Sequence, residues 1–185
     1  PAVGGVGIIP DLNFFATLAG AKEGDSLVLI GETKGWLGAS IYLREILSRE
    51  DGAPPPVDLA VEKRNGHYVR KLIRNRRVSA VHDLSDGGLA VAACEMAFAS
   101  NIGVSLTCPT GGAKHGWYFG EDQARYLVAC NFDQAEALMG AAGQAGVTIA
   151  FVGKFGGEDV TLGGSSAPLA ELKTQSEAVF PTLFS

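Results

Sequence analysis

The sequence predicts an α+β fold with a largely antiparallel sheet, and three observations predict it. Short apolar runs of strand length, such as 26–30 (SLVLI) and 126–130 (YLVAC), alternate with longer helical stretches. Between residues 79 and 153 the order reads strand, helix, strand, strand, helix, strand. That is the split βαββαβ unit of ferredoxin-like folds, with flanking helices on one face of a mixed, mostly antiparallel sheet. Proline and glycine clusters, such as the three prolines of 51–56 and the Gly87–Gly88 pair, punctuate the segments.

The elements follow in order. Residues 26–31 form a strand, and 38–48 a helix that begins just after Gly35 and Gly38. Three prolines, Pro54, Pro55 and Pro56, break the chain before Asp58 opens a second helix. That helix runs to about Arg76, with Leu59, Val69, Leu72 and Ile73 on its buried side. Strand 79–83, helix 87–100, strand 103–107, strand 124–130, helix 133–145 and strand 147–153 make up the split unit. A strand at 159–163 and a helix near 168–179 complete the chain. Residues 108–120 (CPTGGAKHGWYFG) read as a long loop joining two strands, either functional or a plain flexible hairpin connection.

With 185 residues, 46% of them apolar, residues 1–185 fit one domain with a single core, entered through a lead-in segment at 1–24. The first residue is Pro1 and the opening stretch is Gly-rich, so the chain reads as a piece of a longer protein. No apolar run approaches the roughly 18 residues of a membrane span, and no secretory signal is visible. Three cysteines without a C-x-x-C pair indicate a reducing, cytoplasmic setting with neither disulfides nor zinc. The formal charge of −5 speaks against nucleic acid as a main partner. Against it stands a local excess: residues 63–77 carry Lys63, Arg64, Arg70, Lys71, Arg74, Arg76 and Arg77, a basic helix face. A solvated surface is one reading of it, and contact with acidic patches of other domains or subunits another.

Candidate sites cluster where strands end. The run 81–89 (VHDLSDGGL) places Asp83, Ser85 and Asp86 at a strand terminus, followed by Gly87 and Gly88 and an Ala-rich helix. Such a junction presents carboxylates and free backbone N–H groups to a ligand, although Ser85 or Asp86 can equally serve as an ordinary helix cap. Glu121 and Asp122 precede a strand that should lie near Asp83. Grouped carboxylates of this kind can hold Mg²⁺, which prefers oxygen ligands and bridges to phosphate. No Walker-type loop or dinucleotide fingerprint is present. The helix start at Gly38, Ala39 and Ser40 can face a phosphate or merely cap itself. His82 invites a general-base reading, but a structural role at the turn fits it better.

Several segments carry a resemblance. Residues 82–100 (HDLSDGGLAVAACEMAFAS) are similar to the signature of the C-terminal domain in the aminoimidazole ribonucleotide synthetase superfamily of ATP-using enzymes. Residues 3–11 (VGGVGIIPD), 119–126 (FGEDQARY) and 177–183 (EAVFPTL) resemble, in the same order, segments of the synthetase subunits of small-type phosphoribosylformylglycinamidine synthases. The resemblance implies a C-terminal domain of that superfamily fold. It implies an ATP- and Mg-dependent ligase that uses glutamine-derived ammonia to convert formylglycinamide ribonucleotide to its amidine in purine biosynthesis. A glutaminase subunit, a small accessory subunit and the remaining domains of the same chain are the implied partners. Such subunits contain two domain pairs. In the first, the position matching Asp83 binds Mg²⁺, and those matching Glu121, Asp122 and Gln123 contact the ribonucleotide. The HDLSDGG wording matches the second pair, which the resemblance makes non-catalytic. Asp83, Glu121, Asp122 and Gln123 are then expected as a vestigial ligand site, Asp83 as at best a weak metal ligand. The resemblance implies no catalytic residue in this chain, no bound cofactor and a scaffold or interface role. Another superfamily enzyme, such as aminoimidazole ribonucleotide synthetase or selenophosphate synthetase, or a stand-alone nucleotide-binding or interaction module, is the alternative. The FGEDQAR motif argues against the former, and the length of the parent reading frame decides the latter.

Overall fold

The computed structural model describes residues 4–111, 113–179 and 181. The first residue of the 3–11 segment, Gly112 in the 108–120 stretch and most of 180–185 therefore lie outside the described residues. Seven strands form one sheet: β1 (Ser26–Ile30), β2 (Ala80–Asp83), β3 (Val104–Leu106), β4 (Tyr126–Cys130), β5 (Ile149–Phe155), β6 (Asp159–Leu162) and β7 (Ser165–Pro168). Among the described residues six α-helices accompany them: α1 (Ile41–Leu47), α2 (Leu59–Arg74), α3 (Gly88–Ser100), α4 (Lys114–Phe119), α5 (Phe132–Ala145) and α6 (Leu169–Glu177).

The strand order is β2-β4-β1-β5-β3-β6-β7, antiparallel throughout except for the parallel β3–β6 pair. The expected βαββαβ succession runs from β2 to β5, with α4 inserted between β3 and β4. The pairing differs from a ferredoxin-like sheet: β2 and β4 run antiparallel, β3 pairs with β5 rather than β4, and β1 lies between β4 and β5. Its five residues are all buried, and so are the last four of β4.

Strands this apolar need cover on both faces. Leu27 and Leu29 point into one core with Leu89, Met96, Leu127 and Phe155, roofed by α3, α4 and α6. Val28 and Ile30 point into the other, with Tyr68, Val69 and Leu72 of α2 and Ala135 and Leu138 of α5. The helices thus cover both faces rather than one. The unbroken SLVLI run, with no polar alternation, is the physical reason.

Three further expectations change. Leu59, placed on the buried side of the second helix, is 76% exposed, because it is the first residue after the Asp58 cap and lies beyond the sheet. Tyr68 takes its place in the core. Residues 108–120 are not a simple hairpin loop: they contain α4, and they join β3 and β4, which are not neighbours. Phe119 of α4 stacks on Tyr42 of α1 at 5.1 Å between ring centroids, which ties that helix down. The edge strand β7 (SSAP) has no apolar pattern of its own and forms by pairing with β6.

Candidate functional site

The β2–β4 pairing sets Asp83 opposite Tyr126, and the Leu84 N–H continues the ladder to the Arg125 carbonyl at 3.0 Å. A cavity of about 370 Å³ opens beside this junction. Glu62, Asp83, Asp86, Glu121, Gln123 and Tyr126 line it, so the expected neighbours Asp83, Glu121 and Gln123 share one wall-to-wall space. Asp122, their sequence neighbour, turns away from it. Alternation along an extended segment sends adjacent side chains in opposite directions.

The two acidic side chains have specific employment. Glu121 Oε1 accepts the Gly87 N–H and the Ile41 N–H, both at 2.9 Å. It therefore joins the turn before α3 to the start of α1. Asp122 is 7% exposed, and its Oδ2 accepts the Lys34 and Gly35 N–H groups at 3.1 and 2.9 Å, with a longer contact from Trp36. A run of backbone amides converging on one carboxylate is the kind of concavity that elsewhere holds an anion. Gln123 is exposed and folds its amide back on the Glu121 carbonyl at 3.2 Å. Asp83 is also open, its carboxylate 3.4 Å from His82 Nδ1.

Neither Ser85 nor Asp86 caps α3. The capping position is Gly87, at φ +77°, with no side-chain hydrogen bond, and Glu121 takes its amide instead. Gly88 follows at φ +64°, and a Cβ there would meet the Gly120 carbonyl oxygen at 2.3 Å. Close backbone approach and left-handed conformation both require glycine at this place.

Helix α1 begins at Ile41 rather than at residue 38: Ser40 caps it, Gly38 and Ala39 form the turn before it, and the Ala39 and Ser40 polar groups are engaged inside the chain. The Ala39 N–H donates to the Asp51 carbonyl and the Ser40 N–H to that of Leu37. Ser40 Oγ accepts from the Leu43 N–H at 3.3 Å and donates to the Leu37 carbonyl at 2.6 Å. His82 is fixed by a 2.6 Å contact between its Nε2 and Glu95 Oε2 of α3, so it braces β2 against that helix.

Arg125 and the Glu62–Tyr126 pair were not singled out by sequence reasoning. The Arg125 side chain is wholly buried; it donates to the carbonyls of Asp122 (2.9 Å) and Gly120 (2.5 Å) and to Thr33 Oγ1 (3.1 Å), and lies 4.0 Å from Asp122 Oδ2. Burial pulls its pKa below the ordinary guanidinium value, against the pull of the Asp122 and Glu121 charges, and the group stays cationic. An arginine heading the apolar run YLVAC was the available signal. Tyr126 donates its hydroxyl to Glu62 Oε1 at 2.8 Å. Burial first, and then that bond and the charges of Glu62 and Asp83, push its pKa to about 12.

Among the described residues no group of three or more His, Cys, Asp or Glu side chains converges as a metal centre. Nor is any helix long and apolar enough to cross a membrane. The three cysteines are free, and burial raises the Cys94 and Cys130 thiols to about 11.

Residues 22–165 match the family model of the AIR synthase related protein, C-terminal domain. The chain is 52% identical over 182 residues, 98% of its length, to the phosphoribosylformylglycinamidine synthase subunit PurL of Methylocella silvestris, and spans 25% of that relative. Structures of Thermotoga maritima PurL complexed with FGAR and with ATP superpose with TM-scores of 0.71 and 0.68. Each covers 88% of this chain, at 17% and 16% identity, a likeness of fold. The chain spans about a quarter of the length of the curated relatives it matches.

Proposed function

The chain belongs to the family of AIR synthase related proteins, as their C-terminal domain, and we propose that it is the second such domain of a phosphoribosylformylglycinamidine synthase. The observation that carries this reading is the 52% identity to a PurL subunit across nearly the whole chain. The longer enzyme would convert formylglycinamide ribonucleotide to its amidine with ATP, Mg²⁺ and glutamine-derived ammonia. A glutaminase subunit and a small accessory subunit would assemble with it in the cytoplasm. Three unpaired cysteines support that compartment.

Residues 1–185 form one domain in this reading, with 1–24 as the lead-in. The family match beginning at residue 22 supports the division. Asp83, Glu121 and Gln123 line a ligand-facing cavity that is auxiliary to the reaction, and Asp122 supports its floor from behind. The donor set does not amount to a metal site. Mg²⁺ keeps most of its water and binds through one or two carboxylates plus phosphate, and Glu121 is already committed to two amides. The metal belongs to the longer enzyme, not to this cavity. The domain's own contribution is scaffold and interface.

The test uses the full-length protein. Asp83→Asn and Gln123→Ala should leave amidine formation within about twofold of the parent, since neither side chain touches the reacting atoms of an auxiliary cleft. A loss of a hundredfold or more in kcat would make the cavity catalytic. An intact polypeptide lacking amidine synthesis altogether would refute the assignment.

A further inference from the structure

The outer face of α2 is a row of cations without partners among the described residues. Lys63, Arg70 and Arg74 recur at i, i+7 and i+11, a single stripe about 17 Å long. The opposite side of the helix delivers Tyr68, Val69 and Leu72 to the core, so the stripe points outward. Lys63, Arg64, Arg70, Lys71, Arg74 and Arg77 are all exposed. Among the described residues none of them forms an ion pair or a side-chain hydrogen bond.

Lys71 and Arg74 in the last turn complement the helix dipole. That accounts for two cations and leaves Lys63, Arg64 and Arg70, while Arg70 and Arg74 repel each other at i, i+4. No carboxylate lies between residues 63 and 77; this stretch holds seven of the fifteen Lys and Arg, leaving eight for the rest of the chain against all twenty Asp and Glu. A charge separation this sharp is a directional device.

We propose that this stripe is a docking surface for a carboxylate-bearing protein surface on the longer polypeptide. The inference rests on the reading that the chain is one quarter of such a polypeptide. Protein is favoured over nucleic acid by the charge distribution. A phosphate backbone extending past one helix would run over the strongly acidic remainder and be repelled, whereas a protein presents its carboxylates locally.

The experiment is zero-length carbodiimide cross-linking of the full-length protein, read by peptide mass spectrometry. Lys63 and Lys71 should link to Asp or Glu residues outside this chain. The links should fall about tenfold in an Arg70→Glu, Arg74→Glu double variant, and equally in about 1 M salt, where screening reaches within about 3 Å. Links only to carboxylates of residues 1–185, or none at Lys63 and Lys71, overturn the proposal. So does micromolar binding of single-stranded RNA that the double variant abolishes. Intact mass tests the underlying reading separately: a native polypeptide no longer than this chain refutes that reading before any cross-link is scored.

Discussion

Glu121 Oε1 accepts the amide of Gly87 at 2.9 Å, and the same oxygen accepts that of Ile41. One carboxylate thus ties the glycine turn before α3 to the first turn of α1, reaching partners 34 and 80 residues away from it in sequence. Bonds from backbone amides to a charged acceptor contribute about 1.5–3 kcal/mol each when formed without exposure, and less at a half-buried site. Glu121→Ala should therefore destabilise the domain by about 2 kcal/mol, and Glu121→Gln, which keeps a neutral acceptor, by about half that. Urea denaturation checks it. Equal midpoints for all three proteins would show that the two amides find other acceptors at no cost.

Arg125 makes the sharper prediction. Its guanidinium satisfies two carbonyls and a hydroxyl inside the protein while facing the Asp122 carboxylate. Arg125→Met would leave those acceptors buried without donors and Asp122 without its cation, at a cost of about 3–5 kcal/mol. For a domain of this size that is a fall in Tm of roughly 10 °C. Arg125→Lys should recover only part of it, because an ammonium cannot reach three acceptors in a planar fork. Calorimetry showing a lysine variant as stable as the parent would mean that the fork geometry is immaterial.

The α2 stripe predicts the opposite behaviour in the excised domain. Its cations lie in solvent without partners among the described residues, and isolated surface charges contribute under about 1 kcal/mol. Arg70→Glu and Arg74→Glu should each shift the urea midpoint of this chain negligibly. A loss of several kcal/mol would show that the helix packs through its basic face.

These contrasts trace what the sequence disclosed. SLVLI, the Asp58 cap and the Ala-rich stretch after Gly87 are local signals, and strands and helices stand where they indicate. The glycine-rich junction and the FGEDQ segment share a cavity because β2 and β4 pair, a relation inferred from the expected unit. Hidden from view were the non-local facts. Nothing local reveals that β1 wedges between β4 and β5, or that Glu121 rather than Ser85 or Asp86 receives the Gly87 amide. The edge strand SSAP and the helix KHGWYF, interrupted by Gly116, have weak propensities and form through contacts made elsewhere.

Tyr126 supplies a pH signature. Its pKa in the folded protein is about 12, raised from an ordinary 10.0 chiefly by burial. A raised folded-state value means that the neutral phenol stabilises the fold: the contribution is complete below pH 10 and is lost as pH climbs from there through 12. Tyr126→Phe should flatten the fall in stability over that window. Burial raises Tyr68 and Tyr118 as well, so phenolate absorbance should show several tyrosines titrating late in the parent, with the component near pH 12 lost in the variant. Full ionisation of all tyrosines near pH 10 in the folded protein would contradict the burial argument.

The last prediction is that this chain alone folds but performs no chemistry. Phosphoryl transfer depends on positioning nucleotide, metal and acceptor together under fixed electrostatic stabilisation. Carboxylates predominate in the wall of the cavity beside Asp83, and Arg125, which also borders it, spends its guanidinium on the Asp122 and Gly120 carbonyls and the Thr33 hydroxyl. The amides that could cradle a phosphate are already occupied, those of Lys34 and Gly35 by Asp122 and those of Ile41 and Gly87 by Glu121. An incoming phosphate would have to displace a carboxylate from its amides and then sit beside that unpaired charge. Nucleotide should therefore bind no tighter than roughly millimolar, about −4 kcal/mol. Titration calorimetry with ATP and Mg²⁺, together with an assay using ammonia and formylglycinamide ribonucleotide, checks both halves. Micromolar affinity or any turnover by the isolated chain would show that Glu121 or Asp122 yields its amides to the ligand, and would make this cleft a working site.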